Sequence, residues 1–310
     1  MTRAEYDAIP AVNYSLLKDL AVSPLTAWYN HVRPNRQRES TPAMDLGTAL
    51  HCAVLQPKEF DARYYCELDP PPDALVTMDD MRHYCREAGL VVPAAVNKRK
   101  DDLIAWLQMQ RVVPPILDVL RLRHEAANAG KQCFKVEDWH RLTGMAVALA
   151  DEPELRRLLK EGEPEKCLQA TDSDTGLRLK GLLDWDTPGW IVDAKTFSVK
   201  HGRTVDRSVA DAIFYEKHYM QGVFYSNLKG PEWKGDYILS FVQSENPHET
   251  RLRSLHRGQH SLLWQRGVIE IRSLLRLYKE CMEHFGVDKP WRYACQVTPV
   301  EDEEIPGVMY

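Results

Sequence analysis

Two aspartates and a lysine near the middle of the chain are residue types that can together hydrolyse a phosphodiester. Asp193 follows Asp184 along the chain, and Lys195 lies two residues beyond Asp193. Carboxylate oxygens are hard ligands that suit Mg²⁺ or Mn²⁺, and a bound divalent ion lowers the pKa of its water. An adjacent ammonium can orient that water or neutralise charge that develops on a phosphate. Because the spacing is loose and common, the same three residues could also decorate an ordinary solvated hairpin.

Strand geometry gives these three side chains a reason to converge. The pattern predicts one strand over residues 177–186 and a second strand after a turn at 187–189. Alternation puts Asp193 and Lys195 on one face of the second strand. If the turn has a two-residue Pro-Gly loop, the register sets Asp184 opposite Asp193. A Pro-Gly pair favours type II geometry, which fits such a hairpin poorly, and a slip of one residue would reverse one strand.

The elements around the hairpin predict an α/β fold with a small mixed sheet flanked by helices. Ser23 is a predicted N-cap with proline at the first helical position, and a helix over 42–55 carries His51. We expect a single domain over 1–310. Its predicted segments are N-terminal helices over 13–64, a helical segment over 78–160, the catalytic sheet with its helices over 164–256, and a long C-terminal helix over 258–285.

Composition places few limits on function. The formal net charge is −5, which still allows positive groups to line one groove. Seven cysteines without a CxxC pair favour free thiols over a disulfide framework or a zinc or iron–sulfur site. No basic segment followed by an apolar run opens the sequence, and no apolar stretch reaches the ~20 residues that cross a bilayer. We therefore expect a cytoplasmic protein.

Further segments stand in a characteristic order around the hairpin. In chain order they are Ser23-Pro24, the stretch from Thr41 to His51, Glu165, Asp174-Thr175-Gly176, Asp184, Asp193-Ala194-Lys195-Thr196 and the stretch from Tyr219 to Tyr225. Together they resemble the PD-(D/E)xK nuclease superfamily, and more narrowly the RecE-type exonucleases of the exonuclease VIII family. That family is similar in fold to lambda exonuclease and the nuclease domain of RecB. The resemblance implies a restriction-endonuclease-like core.

The resemblance also implies roles for single residues. His51, Asp184 and Asp193 match the positions that contact metal, and Lys195 matches the catalytic lysine. Glu165 matches an acidic position with a metal or water role, although it could equally be a charge at a strand edge. Gln221 and Tyr225 match a QxxxY helix that holds DNA or the catalytic strand, and their i, i+4 spacing places both on one helix face. His51 on an apolar helix could instead be a packed, hydrogen-bonded histidine.

Members of the resembled family digest linear duplex DNA from the 5′ end and leave a 3′ single strand. They work with a RecT-like single-strand annealing recombinase in phage recombination. The resemblance implies two Mg²⁺ ions per active site, with Mn²⁺ as a substitute, and a homo-oligomeric ring, a trimer or a tetramer, around DNA. The chain departs from the family at Leu182-Leu183, where Arg-Pro is common, and at Ala194, where a bulkier residue is usual.

Single basic residues are candidate phosphate contacts, although most such residues are merely solvated. Lys180 is the strongest candidate because it shares a predicted strand face with Asp184. The other candidates are Arg178, Lys200 and Arg38.

Two alternative functions remain open from the sequence. One is an endonuclease or a 3′-directed nuclease of the same superfamily. The other is a non-catalytic DNA-binding recombination scaffold, against which the complete acid-acid-lysine set argues.

Overall fold

The computed structural model describes residues 3–36, 40–257 and 261–293. The α-helices are Arg3–Ala8 (α1), Tyr14–Leu20 (α2), Pro24–Ala27 (α3), Pro42–Leu55 (α4), Pro57–Arg63 (α5), Met78–Glu87 (α6), Lys100–Gln108 (α7), Leu117–Ala127 (α8), Val136–Asp151 (α9), Pro153–Leu158 (α10), Val205–Tyr215 (α11), His218–Leu228 (α12) and Leu262–Phe285 (α13). The strands are Tyr64–Cys66 (β1), Gln132–Phe134 (β2), Glu163–Thr171 (β3), Arg178–Asp186 (β4), Trp190–Phe197 (β5), Asp236–Gln243 (β6) and Thr250–Leu255 (β7).

The chain divides into two compact units. The first comprises Met1–Thr41, Arg157–Phe241 and Arg251–Tyr310, and the second comprises Pro42–Arg156 and Val242–Thr250. The single domain expected from the sequence stays a prediction. No helix among the described residues is both long enough and apolar enough to span a membrane.

The first unit is built on a five-stranded sheet in the order β3-β4-β5-β6-β7. Strands β3 and β4 pair antiparallel, from Glu163 opposite Asp186 to Thr171 opposite Arg178. The N-terminal segment joins this sheet at Val12, whose N–H donates to the Arg178 carbonyl at 2.8 Å. This mixed sheet with flanking helices confirms the predicted fold class.

Helix α12 lies in the core of the first unit and is buried over most of its length. Two glycines let it approach its neighbours closely. A Cβ added to Gly181 of β4 would lie 2.5 Å from Leu228 Cδ1, and one added to Gly222 of α12 would lie 2.7 Å from Tyr237 Cδ1 of β6. Such distances are too short for a real side chain. The close fit fixes the helix that carries Gln221 against the sheet.

The N-terminal helices begin where the sequence predicts. The Asn13 side chain accepts the Leu16 N–H and caps α2, and Ser23 Oγ accepts the Thr26 N–H and caps α3. The second helix does not stay regular, because a π-helical turn over Trp28–Val32 continues α3. Helix α4 has the predicted bounds.

The second unit is largely helical, as expected for the segment 78–160, and one of its hydrophobic clusters gathers Met81, Leu103, Leu107 and Ile116. The sequence analysis missed its two-stranded parallel sheet, in which Tyr64 pairs with Gln132 and Cys66 with Phe134. Each strand has three residues, and its partner is far away in sequence, so no local pattern marks it.

Candidate active site

The turn between β4 and β5 has the predicted two-residue loop. The Thr187 N–H donates to the Trp190 carbonyl at 3.0 Å across Pro188 and Gly189. The returning Trp190 N–H donates to Thr187 Oγ1 at 2.8 Å instead of to a backbone carbonyl. A threonine hydroxyl thus completes a hairpin that Pro-Gly alone would close poorly.

The observed register is the one that the sequence predicted. Trp185 lies opposite Val192 and Asp186 lies opposite Ile191. One further step in this register sets Asp184 opposite Asp193. The Asp184 carboxylate also reaches β5 directly, because its Oδ2 accepts the Ala194 N–H at 3.0 Å.

A third acidic residue lies at the same level of the sheet. Pro164 pairs with Trp185 and Lys166 pairs with Leu183, so Glu165 on β3 comes beside Asp184. Glu165 has a φ of 49°, in the left-handed region that non-glycine residues seldom adopt. Such conformations cluster at functional sites, and this one interrupts an otherwise regular strand.

The most buried charge of the site is Asp193, which is 1% exposed and forms an ion pair with Lys195. Burial lowers the pKa of Lys195, but the charges of Asp193 and Asp184 outweigh burial, and the net shift is upward. The lysine is therefore an ammonium at neutral pH. The Asp193–Lys195 ion pair and the hydrogen bond from the Ala194 N–H to Asp184 Oδ2 bring the three side chains to the same hairpin.

Helix α12 presents its polar residues to the same carboxylate. Gln221 Nε2 donates to Asp193 Oδ1 at 3.3 Å. Burial raises the pKa of Tyr225 well above its usual value, and the charges of Asp193 and Asp184 raise it further. The i, i+4 pair of the predicted QxxxY helix therefore faces the acidic pair, and Tyr225 stays a neutral phenol.

Three residues near the site were missed by the sequence analysis. Burial raises the pKa of both Tyr14 and Tyr237, and the charge of Asp193 raises each further. Burial is the main cause that lowers the pKa of His218 to about 2, and the charge of Lys195 acts in the same direction. His218 precedes Gln221 by three residues, so helical spacing could have found it. Tyr14 lies on α2, where its hydroxyl donates to the Lys217 carbonyl at 2.8 Å, and Tyr237 lies on β6. No local spacing relates either tyrosine to Asp193.

The donor set fits a hard divalent ion. Within the described ranges no group of three or more histidine, cysteine, aspartate or glutamate side chains is arranged to hold a metal. Mg²⁺ in nucleotide-cleaving sites needs fewer, since one or two carboxylates, water and substrate phosphates complete its shell. Asp184 and Asp193 supply two carboxylates, and Lys195 beside them supplies a positive charge. These residues fit Mg²⁺ or Mn²⁺.

The remaining predicted residues lie elsewhere or have other partners. His51 lies half-buried on α4, in the second unit. Arg178 is exposed and donates to Gln169 Oε1 at 3.0 Å, and Lys200 is exposed in the loop after β5. Arg38 lies outside the described residues.

The prediction that Lys180 contacts DNA is wrong for this structure. Its side chain is buried, and its ammonium donates to the carbonyls of Tyr6 at 2.7 Å, Ile9 at 2.9 Å and Asp7 at 3.3 Å. It also lies over the Tyr6 ring, 4.5 Å from the centroid. An ammonium engaged in this way ties the N-terminal segment to the sheet and does not reach a phosphate.

A mixed sheet with two aspartates and a lysine gathered at one hairpin defines the class of PDDEXK-like nuclease domains. The chain belongs to the family described as "PDDEXK-like domain of unknown function (DUF3799)", which matches residues 13–296. A comparison with curated proteins gives no match.

Solved structures support the fold. A crystal structure from Eubacterium rectale, of a protein provisionally named an exonuclease, matches at 11% identity over 99% of both chains with a TM-score of 0.52. A second structure, of a protein designated SSO0001, matches at 12% identity over 75% of this chain and 86% of that chain, with a TM-score of 0.27. The second match is too weak to carry an argument, and the first shows a shared fold alone.

Proposed function

We propose that this protein is a metal-dependent exodeoxyribonuclease that digests linear double-stranded DNA from 5′ to 3′ and leaves 3′ single strands for phage-type recombination. The observation that carries the nuclease chemistry is the buried Asp193 paired with Lys195 and held by Gln221. Support for the direction and the recombination role comes from the RecE-type order of motifs in the sequence.

Each side chain has a role that follows from its contacts. Asp184 and Asp193 would hold the metal, two Mg²⁺ ions with Mn²⁺ as a substitute, which supplies a water of lowered pKa and neutralises phosphate charge. Lys195 keeps its proton and positions water or stabilises a non-bridging oxygen. Gln221 fixes the rotamer of the Asp193 carboxylate. Glu165 extends the acidic row toward the metal or the attacking water.

Other parts of the proposal rest on the resemblance. His51 is proposed as a metal ligand and Tyr225 as a residue that holds DNA or the catalytic strand. A homo-oligomeric ring, a trimer or a tetramer, would keep the enzyme on its substrate by enclosing the duplex. A RecT-like annealing recombinase is the proposed partner, and the cytoplasm the proposed location.

Nucleotide release from linear duplex DNA tests the activity. The wild-type chain should release nucleotides with Mg²⁺ and none with EDTA, and Asp193→Asn should be inactive while remaining folded. The matched control is Asp174→Asn, which removes an aspartate of the same unit that pairs with Arg276. Release that survives Asp193→Asn would remove this residue from the site.

Topology and end labels test the direction. Linear duplex labelled separately at each 5′ and 3′ end should lose its 5′ label first, and covalently closed circles should stay intact. Circles cut as fast as linear DNA would show an endonuclease, and early loss of the 3′ label would show a 3′-directed enzyme. DNA binding without any cleavage would show a recombination scaffold.

A further inference from the structure

Arginines gather on one exposed surface of the first unit, formed by helix α11 and the edge strand β7. We call it the α11–β7 basic surface. Arg207 lies on α11, Arg251 and Arg253 lie on β7, and Lys200 and Arg203 lie in the loop that leads into α11. The sequence analysis singled out Lys200 alone, because the arginines come from two segments that are distant along the chain.

Two aspartates hold the guanidinium groups in place. Asp206, in the first turn of α11, accepts hydrogen bonds from Arg251 and Arg253 of β7. Asp211, further along α11, pairs with Arg207 at 3.1 Å and Arg203 at 3.7 Å. Arg251 and Arg253 are two residues apart on one strand, so alternation puts them on the same face.

The charge of this surface opposes that of the whole chain. Five cationic side chains against two carboxylates leave a net charge of +3, whereas the chain carries −5. The arginine side chains are between 30% and 59% exposed. A guanidinium has five N–H donors, so pairing with a carboxylate leaves donors that can reach a phosphate. Arginine also presents the fork geometry that phosphate oxygens match.

The α11–β7 basic surface begins in the loop that follows strand β5, which carries Lys195. Lys195 and Lys200 are five residues apart, so their Cα atoms are separated by at most ~18 Å. The Lys200 carbonyl accepts the Arg203 N–H at 3.0 Å, which brings the start of the surface to the same loop. Each DNA strand carries one phosphate per ~3.4 Å of helix axis, so this span corresponds to about five phosphates.

We propose that the α11–β7 basic surface binds the phosphate backbone of duplex DNA within a few nucleotides of the scissile bond. The surface reads no bases and supplies affinity through counterion release, in agreement with an exonuclease that must accept any sequence. The location relative to the scissile bond rests on the proposed nuclease function, whereas the binding itself does not.

Binding measured in EDTA tests the surface without cleavage. The test variant is R251Q/R253Q, which leaves Asp206 64% exposed and so does not strand a buried charge. The matched control is R272Q/R276Q on α13, which removes the same charge from two exposed arginines, one of them paired with Asp174. Both variants should keep the thermal unfolding midpoint within a few degrees of the wild type.

The affinity for a blunt duplex should fall about 10- to 100-fold in R251Q/R253Q at 0.1 M salt, and the slope of log K against log salt should fall by about 2. In the control, the affinity should change by no more than about threefold, and the slope should change by no more than about 0.5. Asp206→Asn, which raises the local charge, should tighten binding by about threefold or more.

Equal effects in R251Q/R253Q and the control, or no gain in Asp206→Asn, would overturn the surface. A wild-type chain that binds with the expected slope but releases no nucleotide in Mg²⁺ would keep the surface and overturn the nuclease. If the wild type cleaves DNA but R251Q/R253Q leaves the slope of log K against log salt unaltered, the proposed nuclease function would stand and the proposed DNA-binding surface would be overturned.

Discussion

Two lysines with little solvent exposure lie on neighbouring strands of the sheet, and their partners differ. Lys180 of β4 is held by three backbone carbonyls of the N-terminal segment, whereas Lys195 of β5 is held by the buried carboxylate of Asp193. Carbonyl dipoles fix an ammonium in a structural position. A carboxylate that can also take a metal leaves the ammonium available to a phosphate. The partner, more than the residue type or the burial, separates the proposed catalytic lysine from the structural one.

Replacing Lys195 should lower activity, whereas replacing Lys180 should lower stability. Lys195→Gln should lower single-turnover cleavage of duplex DNA about 10²- to 10³-fold, because it removes a charge aimed at the developing oxyanion. Rapid-quench measurement with enzyme in excess over DNA checks this. A rate within threefold of the wild type would mean that Lys195 acts only on the fold.

Lys180→Met should have the opposite effect. Three carbonyls lose a charged donor, and the free energy of unfolding should fall by about 2–3 kcal/mol. Urea denaturation measures the loss, and cleavage per folded molecule well below the midpoint should stay near that of the wild type. A large loss of cleavage in folded Lys180→Met would mean that Lys180 acts in the DNA site, and it would contradict the distinction between the two lysines.

Gln221 tests whether the Asp193 carboxylate needs a second anchor. Gln221→Leu leaves the Asp193–Lys195 pair but removes the 3.3 Å amide contact, and cleavage should fall about tenfold. The metal concentration at half-maximal rate should rise, since the carboxylate rotamer is less fixed. The matched control is Asn227→Leu, which removes an exposed amide from the same helix. An equal loss in both variants would mean that the Gln221 amide matters only for packing.

The smallest expected effect concerns the packing of α12 on α13. Glu270 accepts hydrogen bonds from Tyr219 at 2.8 Å, Arg266 at 2.7 Å and Lys217 at 3.1 Å. Burial raises the pKa of Glu270, but these hydrogen bonds outweigh burial and lower it overall. Its contribution to stability, about 1 kcal/mol, is therefore present above the unfolded pKa of ~4.3 and is lost as the pH falls through the folded pKa.

Glu270→Gln should abolish that pH dependence. Urea denaturation at pH 7 and near pH 3.5 checks it, with the wild type losing more stability on acidification than the variant. Equal losses in both proteins would show that the Glu270 cluster does not hold α12 in place.

The sequence sufficed for the local part of the site. Turn residues, alternation and pairing register predicted the β4–β5 hairpin, and i, i+4 spacing predicted that Gln221 and Tyr225 share a face. The role of Lys180 was predicted wrongly because its partners are backbone carbonyls more than 170 residues away. The pattern of residue types along the chain does not reveal such partners. Tyr237 was missed for a similar reason, since it lies on a different strand, β6, and the charge of Asp193 that raises its pKa is distant along the chain.

The basic surface shows the same limit. Asp206 and its two arginines are some 45 residues apart, and each alone looks like an ordinary solvated charge. Packing of α11 against β7 creates the local excess of charge, and the net charge of the chain conceals it.

The central claim is that Asp193, paired with Lys195, forms a metal-dependent cleavage site, and a Mg²⁺ titration of single-turnover DNA cleavage tests it most directly. Wild-type protein and Asp174→Asn should show the same saturable dependence on Mg²⁺, whereas folded Asp193→Asn should show no cleavage at any concentration. Cleavage by the wild type in EDTA, or an Asp193→Asn titration that overlays the wild type, would contradict the claim.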